Sequence, residues 1–207
     1  MPSPSLLRKC FDKYSCDKGK KHGYERCYEE YFEPVRKEEN VKILEVGCFR
    51  GESIRAWEEY FPYAEIYTID IFTRTDPRDI MALKSSRVDW LKFDSTNAAI
   101  FTKLDKKWPG IKFDFIIDDG AHHPASNLLT FENLFPYLKE DGAYFIEDVW
   151  MLDRMKPHSW TDNRPHLYSM PRHIQMMTEL EKHDVKHYDF RKTNAPDSYI
   201  LRVKHAS

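Results

Sequence analysis

The run Phe113-Asp114-Phe115-Ile116-Ile117-Asp118-Asp119-Gly120-Ala121-His122-His123 passes from a short apolar strand straight into two carboxylates, a glycine and two imidazoles. In an open α/β sheet, the residues leaving the carboxyl end of a strand line the ligand crevice. A second run of the same kind follows, in which the apolar Gly142-Ala143-Tyr144-Phe145-Ile146 ends in Glu147-Asp148. Two strand ends bearing hard oxygen ligands, one with a histidine three residues on, form a pattern for a divalent cation with a base beside it.

Outward from these runs, strands alternate with helices. Strands are expected over 41–46, 64–69, 88–93, 113–117 and 142–146, and helices over 24–38, 51–60, 96–107, 126–138 and 172–182. Two closing strands, 185–190 and 198–203, have only a short connection and should form a hairpin. The fold class is therefore α/β: a seven-stranded, mostly parallel sheet with one antiparallel edge strand and helices on both faces. Residues 1–23 look polar and irregular. Residues 149–170, which hold Trp150, His158, Trp160, His166 and Tyr168, read as a long lid loop.

With 207 residues the chain suits one domain over 1–207, in which residues 1–38 would cover the cofactor and substrate. A formal net charge of −2 removes any global drive toward nucleic acid. The first residues lack the apolar core of a signal peptide, and no run is long enough to span a membrane. A cytoplasmic protein is expected, with Cys10, Cys16, Cys27 and Cys48 as reduced thiols.

The first strand leads into Glu45-Val46-Gly47-Cys48-Phe49-Arg50-Gly51-Glu52-Ser53. A glycine turn at this place lets backbone approach a ligand closely. It is not GxGxxG, and Glu45 suits a cationic ligand better than a phosphate. Asp70 closes the second strand, where a carboxylate can accept both ribose hydroxyls; Asp94 follows the third, where it could meet an adenine amine or cap a turn. The expected cofactor set is Glu45, Gly47, Gly51, Ser53, Asp70, Asp94 and Asp118.

The acidic-x-Gly-x-x-x-Gly order, then Asp70, Asp94 and Asp118-Asp119, resembles class I S-adenosylmethionine-dependent methyltransferases. More narrowly, Asp17-Lys18-Gly19, His22-Gly23-Tyr24, Tyr28, Ile43-Leu44-Glu45-Val46-Gly47, Trp57-x-x-Tyr60-Phe61-Pro62, Ile116-Ile117-Asp118-Asp119-Gly120-x-His122 and Ile146-Glu147-Asp148 resemble the metal-dependent macrolide-sugar O-methyltransferases. The likeness covers roughly residues 15–150. One departure is Phe49, which stands where many methyltransferases carry glycine.

This resemblance implies a Rossmann-like fold, S-adenosylmethionine as donor and Mg²⁺ (or Mn²⁺) held by Asp119, Glu147 and Asp148. His122 would be the catalytic base, with His123 as a competing imidazole. His22, Tyr24, His123 and Trp150 are candidate contacts to the acceptor, expected to be a small hydroxylated molecule such as a glycoside. Self-association into a homo-oligomer is a further expectation from the layout. Catechol methylation is the alternative within the same chemistry. A non-catalytic cofactor-binding scaffold is the alternative of another class, and a nicotinamide oxidoreductase is disfavoured by the glycine spacing.

Overall fold

The computed structural model describes residues 3–149 and 169–206. Trp150, His158, Trp160, His166 and Tyr168 of the expected lid lie outside those residues. Strands β1 (Lys42–Val46), β2 (Glu65–Asp70), β3 (Val88–Lys92), β4 (Phe113–Asp118) and β5 (Leu138–Ile146) are joined in parallel. With β6 (Asp184–Asp189) and β7 (Tyr199–Lys204) they form one sheet, ordered β3-β2-β1-β4-β5-β7-β6. The antiparallel strand expected at this edge is β7, which pairs antiparallel with both β5 and β6. It stands second from the edge, because the hairpin places β6 outside it.

The helices are α1 (Leu6–Lys13), α2 (Glu25–Phe32), α3 (Glu52–Tyr60), α4 (Ile100–Lys107), α5 (Pro124–Leu134) and α6 (Met170–Leu180). Helix α1 corrects the expectation of an irregular start. Leu7, Cys10 and Phe11 are buried at the spacing of one helical face, and the Ser5 hydroxyl caps it by accepting the Arg8 N–H at 3.2 Å. Helix α2 stops near Pro34, as its sequence suggests, and α5 ends earlier than expected; each passes into a short 3-10 turn that contains a proline.

Buried side chains alternate between the two faces of the sheet, as a period of two requires. Ile43, Ile66, Phe115, Ile117 and Phe145 pack with Phe11, Tyr28, Phe32 and Trp57 of α1–α3. Leu44, Ile69, Ile116, Tyr144 and Ile146 pack with Leu104, Phe131 and Met176 of α4–α6. Carried to and just past the strand ends, the same alternation places Glu45, Asp119 and Glu147 on the α1–α3 side, two residues beyond Ile43, Ile117 and Phe145. Asp118 falls on the other side.

Candidate active site

The strand order reverses between β1 and β4, and open α/β sheets bind ligands at such a switch point. A cleft of about 1000 Å³ opens there, with Gly47, Asp70, Asp94, Asp119, His122 and Asp148 among its walls.

Gly47 sets the turn after β1. Its φ of 95° is a left-handed conformation, and a Cβ on it would stand 2.1 Å from the Asp119 carbonyl oxygen. Only glycine lets the turn after β1 touch the loop after β4. The Asp70 carboxylate stitches the same turn to β2. It accepts the N–H groups of Cys48 at 2.7 Å, Phe49 at 3.2 Å and Phe72 at 2.5 Å. Asp94 accepts the Thr96 N–H at 2.9 Å and its hydroxyl at 2.7 Å while also facing the cleft.

The other expected cofactor residues do not reach the cleft wall among the described residues. Glu45 is fully buried and accepts the Ser53 hydroxyl at 2.8 Å and the Trp57 Nε1–H at 3.1 Å. Gly51, with φ of 80°, precedes α3 as its N-cap. Asp118 accepts Asn127 Nδ2–H at 3.0 Å and the Gly120 N–H at 3.3 Å, and burial pushes its carboxyl up to about 6.

Asp119, His122 and Asp148 each offer a ligand atom within 4.8 Å of one another. His122 Nε2 stands 3.5 Å from Asp119 Oδ1, and His122 Nδ1 is buried without a hydrogen-bond partner. His122 and Asp148 both have positive φ, 55° and 51°. Non-glycine residues in that region carry strain that clusters at functional sites. Two carboxylates with open positions toward a cleft suit Mg²⁺, which keeps several non-protein ligands. His123 is engaged elsewhere, since its Nδ1 accepts the Ser126 N–H at 3.2 Å as the N-cap of α5.

Glu147, the third expected ligand, points into the interior. Its Oε2 accepts the Lys18 ammonium at 2.6 Å and its Oε1 accepts the Tyr28 hydroxyl. Lys18 is 1% exposed, and its Nζ also meets Asp119 Oδ2 and, at 3.2 Å, Glu45 Oε1. Burial alone would lower the ammonium's pKa; the carboxylates of Asp119, Glu147 and Glu45 overcome it and hold it well above the usual lysine value. One ammonium cannot balance three acids, so burial still raises Glu45, and Glu147 well above the usual carboxylate range.

The segment before α2 supplies the remaining contacts. The Tyr24 hydroxyl donates to Asp148 Oδ1 at 2.5 Å, and the Asp148 N–H donates back to Tyr24 Oη at 3.2 Å. His22 Nδ1 lies 3.0 Å from Ser198 Oγ and 3.5 Å from Asp148 Oδ1, and its ring stacks on Tyr24. Both rings are buried, so they hold Asp148 from behind. Lys18 carried no role in the sequence reading. The signal that could have found it was the shared face of Glu45, Asp119 and Glu147, which demands a cation.

No family model matches the chain. Over 136 residues it is 29% identical to the mycinamicin VI 2''-O-methyltransferase of Micromonospora griseorubida, a match covering 62% of this chain and 32% of that protein. Over 147 residues it is 31% identical to the L-olivosyl-oleandolide 3-O-methyltransferase of Streptomyces antibioticus, covering 67% and 36%. The solved MycE methyltransferase of the mycinamycin biosynthetic pathway, in complex with Mg, SAH and mycinamycin VI, superimposes with a TM-score of 0.71 at 22% identity. That match covers 98% of this chain and 55% of the other. The chain spans about a third of the length of the curated relatives it matches. Its fold is that of a class I methyltransferase.

Proposed function

We propose that this chain is an S-adenosylmethionine- and Mg²⁺-dependent O-methyltransferase that methylates a hydroxyl of a sugar, free or within a glycosylated small molecule. One observation carries the proposal. A single cleft at the switch point joins the Gly47 turn and Asp70 at one end to Asp119, His122 and Asp148 at the other. Curated relatives named for rhamnosyl and olivosyl acceptors support the sugar acceptor.

The cleft residues divide the chemistry among them. The Gly47 turn and Asp70 would receive the nucleoside of the donor, with Asp94 toward its base. Asp119 and Asp148 would hold the divalent ion. Mg²⁺ bound there supplies Lewis acidity that makes an acceptor hydroxyl easier to deprotonate. His122, on the cleft wall beside Asp119, would take that proton. Tyr24 and His22 fix Asp148, while the Gly47–Asp119 contact fixes the spacing between donor and acceptor ends. Such fixing supplies roughly 7–11 kcal/mol in well-oriented systems. The acceptor is a small molecule rather than nucleic acid, in keeping with the net charge of −2.

Calorimetry of S-adenosylmethionine and its demethylated product, with and without Mg²⁺, tests this on wild type and Asp119→Ala. Binding of both nucleosides, with Mg²⁺ binding lost in the variant, is the expected result. A screen of glycosides against catechols then separates the acceptors. Absence of nucleoside binding would sink the assignment.

A further inference from the structure

The cleft wall also includes Asp17, Lys21 and Asp197, which come from the segment before α2 and from the loop between β6 and β7. They form a rim at the acceptor end. His22 Nε2 lies 3.6 Å from Asp17 Oδ2, and a ligand atom of Asp197 stands within 4.8 Å of one on Asp148.

The two segments of this rim are distant in the chain and are fastened together. The Asn194 side-chain amide and the Ala195 N–H both donate to the Lys21 carbonyl at 3.2 Å. Arg26 donates to Asn194 Oδ1 at 2.7 Å, and its guanidinium lies 4.1 Å over the Phe190 ring. Pro196 fixes the backbone just before Asp197. The Asp197 carbonyl then accepts the Tyr199 N–H at 2.7 Å and the Tyr24 hydroxyl at 3.3 Å. The Asp197 side chain is therefore presented to the cleft by a backbone that is tied on both sides.

Its carboxylate is unmatched where its neighbour is matched. Asp17 pairs with Lys21 at 3.3 Å, and both are about half exposed. Asp197 Oδ1 is buried with no hydrogen-bond partner among the described residues. His22 Nδ1 lies 3.7 Å from it and is engaged with Ser198 Oγ at 3.0 Å. The remaining 25% of the side chain that is exposed stands on the cleft wall. A carboxylate only accepts hydrogen bonds, so what Asp197 lacks is a donor.

We infer that Asp197 is a specificity-determining residue for the acceptor: its carboxylate accepts a hydrogen bond from a sugar hydroxyl next to the one that is methylated, and so decides which hydroxyl meets His122. This rests on the sugar O-methyltransferase reading above and makes its acceptor more specific. Neighbouring hydroxyls of a sugar ring are one carbon–carbon bond apart, so one ring can reach both Asp197 and the reacting end of the cleft. A ring held at one point can turn and offer another hydroxyl. Held at two points, it presents a single one.

The test uses methyl α-L-rhamnoside and its three monodeoxy analogues as acceptors for wild type, Asp197→Ala and Asp197→Asn, with the methylated position read by NMR. Wild type should give one positional isomer from the rhamnoside. Loss of the hydroxyl beside the reacting one should lower its kcat/KM by about 10–100-fold, chiefly through KM, as for a hydrogen bond to a charged group. In Asp197→Ala that penalty should vanish and the rhamnoside should give a mixture of isomers. Asp197→Asn keeps an acceptor oxygen without the charge and should fall between the two. The melting temperature and nucleoside affinity of both variants should match wild type. An undiminished deoxy penalty with a single isomer in Asp197→Ala would overturn the inference, and a lowered melting temperature beside them would place Asp197 in the framework. If Asp197→Ala does not fold, Asp197→Asn decides in its place. A wild type that binds both nucleosides but methylates none of the glycosides, or treats all the deoxy analogues alike, would overturn this inference and leave the donor reading standing. A wild type that binds neither nucleoside would take both down.

Discussion

On the α4–α6 side of the sheet, Asp118 is buried with neutral partners, the Asn127 amide and the Gly120 N–H. On the α1–α3 side, its chain neighbour Asp119 shares a buried ammonium with Glu45 and Glu147. Both acids end the same strand, and the pleat alone sends them to opposite faces. Asp118 shapes the loop with hydrogen bonds that are individually modest. Asp119 belongs to a charge cluster in which every member depends on the others, because an unpaired buried charge is expensive. The cleft side is different again, since His122 keeps 27% of its side chain exposed and can meet an acceptor. Framework and chemistry therefore sit on different sides of one residue, Asp119.

That division can be broken by experiment, beginning where the effect is largest. His122→Ala should lower turnover by about 10²–10⁴-fold, the usual share of a general base. Its melting temperature and nucleoside affinity should not change; a parallel fall in stability would place His122 in the framework. Lys18→Met should show the reverse order, with loss of stability first. Leaving the buried acids unpaired should cost about 3–5 kcal/mol in metal-free denaturant unfolding. Tyr24→Phe removes the donor on Asp148 without touching the cleft. It should raise the Mg²⁺ concentration for half-maximal activity by about 10–100-fold. Asp118→Asn should be mildest, within about 1 kcal/mol by the same unfolding measurement, since it alters only hydrogen bonds to neutral partners. A larger loss there would mean the two faces are not distinct in kind.

The parallel sheet was legible because buried strands are short apolar runs separated by helical spacing, and such runs depend little on tertiary context. The wall residues Gly47, Asp70, Asp94, Asp119, His122 and Asp148 were legible for a related reason: strand ends in this fold class face the crevice. What sequence order concealed was direction. Glu147 and Asp148 are adjacent, and nothing local tells which of them turns inward until the left-handed backbone at Asp148 is seen. Glu45 looked like a cofactor contact because it stands beside a glycine turn, yet Ser53 and Trp57 of α3 claim it. Helix α1 was hidden by its polar composition, since only Leu7, Cys10 and Phe11 mark its inner face. Lys18 lies in a segment without periodicity, and its partners are distant in the chain.

The ion pair between Lys18 and Glu147 joins residues 129 positions apart. Closing so long a loop is entropically slow, and contacts of that separation form late when a chain folds. The early segment that carries Lys18, His22 and Tyr24 is made before Asp119, Glu147 and Asp148, its acidic partners after β4 and β5. During synthesis Lys18 has only Glu45 of its three acids until β4 and β5 have been made. Completion of the site is thus an event in time as well as in space, and a kinetic folding experiment should see the Lys18 contacts appear after the sheet.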